Sequence, residues 1–107
     1  MKNMHQQAEM LTASLNHYDL FLDESLLGPL QEYETAPNDE LKDKIHRAMQ
    51  KNARMVHELQ GACQLFFSDL PHGGEAGIIG VAIIKHQQKI DEKLQAIDQQ
   101  EKKLGLQ

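Results

Sequence analysis

Three stretches of this chain place apolar residues at alternating steps of four and three, the signature of a seven-residue repeat. The first runs Met4, Ala8, Leu11, Leu15, Tyr18, Leu22. The second runs Leu41, Ile45, Ala48, Asn52, Met55, Leu59, Ala62, Phe66. The third is built on Ile83, Ile90, Ile97 and Leu104, with Ile79 and Leu94 beside them. This spacing keeps one stripe of a helix turned toward a partner helix. It predicts an all-α fold: an elongated antiparallel three-helix bundle with coiled-coil-like packing, associating with itself.

Local signals set the expected boundaries at about 3-32, 38-70 and 75-104, within a single domain. Pro29 lacks an N–H and crowds the preceding turn, so it kinks or ends the first helix. Asn38 stands where an N-cap is needed, and Asp39 and Glu40 follow at the positive end of the helix dipole. Pro71, with Gly73 and Gly74 behind it, stops the second helix. Gly105 is a C-terminal stop, and Lys102 and Lys103 suit the negative end of the dipole. A helix of about 30 residues is ~45 Å long, and short loops force sequential neighbours to run antiparallel.

The totals limit the chemistry. With 107 residues the chain can bury one core. It has no tryptophan and only 5% aromatic residues, so that core is aliphatic. The net charge of −5 disfavours phosphate neutralisation, and no nucleic-acid partner is expected. Lys85, Lys89 and Lys93 line one side of the third helix, diluted by Asp91, Glu92 and Asp98, as on a solvated face. The lone Cys63 excludes an internal disulfide and reads as a small buried hydrophobe. Met1 to Leu15 contain no signal-peptide apolar core, and the longest apolar run, Gly77 to Ile84, is too short for a membrane span. A cytoplasmic location is the expectation.

Six histidines invite a metal reading. Asp43-x-x-His46 and the His86 to Asp91 spacing are fragments of helical-bundle metal motifs, but neither completes a coordination sphere. No cofactor is expected. The segment Val56–His57–Glu58–Leu59–Gln60–Gly61–Ala62 resembles the phosphoacceptor helix of histidine phosphotransfer domains, which has the form His-x-Leu-Lys-Gly-Ala. The resemblance implies that His57 is the phosphoacceptor, facing solvent, with Gly61 leaving room for a partner's active site. Gln60 departs from it, standing where the family carries lysine. The likeness covers about seven residues. The turn Leu70–Pro71–His72–Gly73–Gly74–Glu75 lacks the lysine and the strand of a phosphate loop, and reads as a connector.

Two polar residues interrupt the apolar stripes. Asn52 sits within the second, where a polar side chain costs stability but fixes register. His86 lies between Ile79 and Ile90, and if buried would make the packing sensitive to acid. Gly77 to Ile84 is apolar on all sides and calls for cover on all sides. With the pairs Leu26–Leu27 and Phe66–Phe67, it predicts more apolar surface than one small bundle hides, which marks a partner site. The residues expected to meet a partner are Leu26, Leu27, Phe66, Phe67, Ile79, Ile83 and Ile90.

The reading that follows is a non-catalytic protein–protein interaction module: an adaptor, chaperone or regulator binding a partner helix or its own copy. In size, acidity and helical heptads the chain is similar in class to bacterial secretion-export chaperones, without a shared motif. The alternatives are a histidine phosphotransfer domain using His57 and a metal-binding helical assembly.

Overall fold

Asn3 opens the first helix in the computed structural model, which describes residues 3–107. Its side-chain oxygen accepts the Gln6 N–H at 2.8 Å, and the Gln6 side chain accepts the Asn3 N–H at 3.4 Å. This reciprocal capping box satisfies two donors at the helix entrance. Helix α1 spans Met4–Leu22 and α2 spans Gly28–Thr35. Between them Asp23–Leu27 form a π-helical turn, so one rod continues past the expected stop to Thr35.

Pro29 accounts for that turn. In an α-helix its ring would meet the carbonyl of Ser25, four residues back. A π turn relaxes the spacing by bonding residues five apart, as the Gly28 N–H does with the Asp23 carbonyl. The extra residue rotates everything that follows. The buried stripe runs Leu11, Leu15, Tyr18, Leu22 and then Leu26 and Leu30, three of them fully sequestered at 0% exposure. A strict repeat would have turned Ser25 inward instead. Leu26 therefore belongs to the core, and the expected exposed Leu26–Leu27 pair is corrected: Leu27 is half-buried against the same cluster.

Helix α3, Asp39–Asp69, starts as expected, with the Asn38 side chain accepting the Leu41 N–H at 2.8 Å. It ends at Leu70, whose extended backbone is what a following proline demands. Helix α4, Gly74–Lys103, follows a turn in which Gly73 and Gly74 take φ of 82° and 54°, a region that suits glycine. At its far end Gly105, at φ 72°, closes a Schellman motif. Leu106 N–H bonds Glu101 O at 2.9 Å and Gly105 N–H bonds Lys102 O at 3.1 Å. Leu106 then folds back into the core, and its carbonyl lies 3.1 Å from His46 Nε2 on α3.

The connections are up, down and up. The α1–α2 rod and α4 run parallel, as the ion pairs His5–Glu75 at one end and Lys103–Glu34 at the other record. Helix α3 runs antiparallel to both. The molecule is 51 × 22 × 17 Å, and α1 packs along both long helices. No helix among the described residues is long and apolar enough to cross a membrane.

The inward face of α3 drifts along its length. Leu41 and Ile45 are buried as the repeat requires, but near the C-terminal end Ala62 is exposed and Cys63 is buried in its place. A straight α-helix turns once per 3.6 residues, so a 3.5-residue stripe slides around it by ~20° per heptad. Burial pushes the Cys63 thiol pKa up, which leaves it a poor nucleophile. Asn52 keeps its inward place because it has a partner: the Tyr18 hydroxyl donates to Asn52 Oδ1, joining α1 to α3.

Candidate functional site

The large apolar residues that reach solvent all lie off the repeat. Met10, Leu20, Leu65, Ile78, Val81 and Ile84 all fall outside the three stripes, and all are exposed, Ile78 at 73% and Leu65 at 66%. Of the residues expected to bind a partner, Leu26, Phe66, Ile83 and Ile90 are buried in the chain's own core. Leu27, Phe67 and Ile79 pack half-buried against it. The large apolar side chains that reach solvent are other residues than these. Position off the repeat does not by itself decide exposure, since Leu26, Leu30 and Cys63 also lie off it and are buried.

Met10 and Leu65 frame a groove between α1 and α3. Its upper hollow, ≈ 330 Å³, is floored by Leu11, Ser14, Ala62 and Phe66, with Gln7 and Asp69 at its end. Ser14 and Ala62 continue into a second hollow of ≈ 450 Å³, where Tyr18, Met55 and Leu59 form the floor and His17 and Glu58 the rim. The small side chains Ala13, Ser14 and Ala62 leave the space, and apolar neighbours line much of it. Carboxylates flank the groove, Asp69 at one end and Glu58 on the rim of the second hollow.

Polar links hold the walls of this groove in place. Tyr18 is 1% exposed, and its pKa is pushed up to about 12, first by burial and then by the charge of Asp91. It stays a neutral donor to Asn52. On the other side of α1, Lys93 of α4 reaches Asp19 at 2.6 Å and Asp23 at 2.8 Å. Its hydrogen bond to Asp19, seconded by that to Asp23, raises the Lys93 pKa. The same contact ties α4 to the start of the π turn. Glu101 is buried near the C-terminus with its pKa raised, chiefly by desolvation, while Gln107 hydrogen-bonds to it at 3.2 Å.

His57 stands on the outer face of α3, exposed, with Val56 and Leu59 turned to the core. A Cβ added to Gly61, one turn on, would meet nothing within 4 Å. His86 is half-buried, in a hollow shared with Asn16, Asp19, Lys85 and Lys89. Among the described residues, no three His, Cys, Asp or Glu side chains gather as a metal site.

No protein-family model matches this chain significantly, and no curated protein or solved structure does so either.

Proposed function

We propose that this chain is a non-catalytic, cytoplasmic interaction module, an adaptor, chaperone or regulator, whose α1–α3 groove receives an amphipathic helix of a partner protein. The observation that carries the reading is the groove itself, with exposed Met10 and Leu65 above a floor of Leu11 and Phe66. A helix lays its apolar stripe into such a trough and anchors residues spaced by three and four. The carboxylates of Asp69 at one end and Glu58 on the rim, on a chain of net charge −5, favour a partner with Lys or Arg flanking that stripe.

A fluorescent amphipathic Leu/Lys peptide tests this directly. Its anisotropy should rise on titration with the wild-type protein, and a peptide of the same composition with its apolar face scrambled should bind at least about tenfold more weakly. Leu65→Glu should lose binding by about tenfold or more, with helicity and Tm unchanged because Leu65 is 66% exposed. Equal binding by wild type and Leu65→Glu would place the peptide elsewhere and end the groove reading.

One observation favours the phosphotransfer alternative: His57 is accessible and Gly61 beside it leaves open space. Incubation with a receiver domain charged by acetyl phosphate separates the two readings. The interaction module takes up no phosphate. Incorporation that disappears in His57→Gln would replace the favoured reading with phosphotransfer.

A further inference from the structure

We propose that the outer face of α4 near its N-terminus pairs with the same face of a second copy, antiparallel, about a two-fold axis at Val81. The face consists of Ile78, Val81 and Ile84, all exposed, with Gly77 beside them and open space over its Cα. The opposite face of the same turns, Ala76, Gly80 and Ile83, is already buried in the chain's own core. The all-round apolar segment is thus covered on one side only. The two faces meet different partners: the inner one its own bundle, the outer one a second copy.

Charge selects the copy and its direction. Val81 is the midpoint of the stripe, so an antiparallel pair sets Val81 against Val81 and each Ile78 against the other chain's Ile84. The same alignment brings Lys85 opposite Gly77 and Lys89 opposite Gly73. A two-fold axis across the pair places equivalent flanks of the two helices on one side. Glu75, Lys85 and Lys89 share such a flank, so each Glu75 falls between Lys85 and Lys89 of the other copy. Among the described residues neither lysine has an ion-pair partner in its own chain, whereas Lys93, Lys102 and Lys103 each have one. Glu75 holds His5 at 3.0 Å and keeps most of its side chain in solvent, at 66%. Beyond Lys85 the face turns polar, with Gln88, Glu92 and Gln95, so the apolar contact is confined to the first turns of α4. This deepens the interaction-module reading by naming one partner, and it uses a face separate from the α1–α3 groove.

Sedimentation velocity on the full chain is the test. The wild type should sediment as a dimer at micromolar concentration. Val81→Asp, which sets two carboxylates against each other at the axis, should yield a monomer with unchanged helicity and Tm. Combining Lys85→Glu with Lys89→Glu should weaken association by about tenfold, and adding Glu75→Lys to that pair should restore it. A monomeric wild type overturns the pairing. A dimer that survives Val81→Asp overturns the face, and failure of Glu75→Lys to restore association overturns the antiparallel alignment. Leu65→Glu should leave the dimer intact, so loss of self-pairing and loss of helix binding are read separately.

Discussion

Leu26→Ala should cost about 2–5 kcal/mol of stability, while Ser25→Ala should change it by less than about 1 kcal/mol. Leu26 is at 0% exposure among Leu22, Leu30 and the α3 residues of the core, so truncation leaves a cavity that rigid neighbours fill only in part. Ser25 is half-buried and makes no side-chain hydrogen bond within the described residues. The comparison tests the π turn, because an uninterrupted seven-residue repeat would place position 25 in the core and position 26 beside it. Urea denaturation of both variants measures it. A mild Leu26→Ala would mean that Leu26 lies outside the core and that the rod holds a plain α-helical register through Pro29.

The second large effect is alkaline. The Tyr18 phenol has a folded pKa of about 12, against about 10 in an unfolded chain. A pKa raised by folding means that the folded state holds its proton more tightly. The stabilisation is fully present below pH ~10 and is lost as pH rises through the folded value. Removing that proton therefore weakens the fold as pH rises through the folded value. Lys93, whose pKa the Asp19 and Asp23 contacts raise, loses its pairing in the same direction. Tyr18→Phe isolates the phenol. It should be less stable than wild type at pH 7 by about 1 kcal/mol, because Asn52 loses its donor, yet fall less steeply above pH 10. With no tryptophan present, tyrosinate absorbance in a Tyr33→Phe background reports Tyr18 alone. Its ionisation should coincide with unfolding near pH 12. Ionisation near pH 10 in a still-folded protein would show that the phenol is solvated.

Much of the fold was legible because it rests on local chemistry. Asn38 caps α3 with its own side chain. Gly105 ends α4 because only a residue at ease with positive φ closes that motif. The antiparallel order of neighbours followed from short connectors. Pro29 was the harder case. Its missing N–H predicts a disturbance, but a stop, a kink and a π turn all answer it locally. Burial of both Leu26 and Leu30 accompanies the π turn. The burial of the residues expected to meet a partner was hard to read for a related reason. Phe66, Ile83 and Ile90 are large and apolar, and counting apolar residues does not say which of them the other two helices have room to cover. Met10, Leu65 and Val81 lie off the repeat and are exposed.

The sequence by itself determined three helices, the Asn38 cap, the stops at Pro71 and Gly105, the aliphatic core stripe and the up-down-up path, because each depends on residues within a turn or two of one another. Only the tertiary structure decided the register after Pro29, the exchange of Ala62 for Cys63 at the inward face, and the pairing of Tyr18 with Asn52. These depend on where a second helix lies. A stripe that drifts by ~20° per heptad acquires an inside and an outside only when its neighbour is in place.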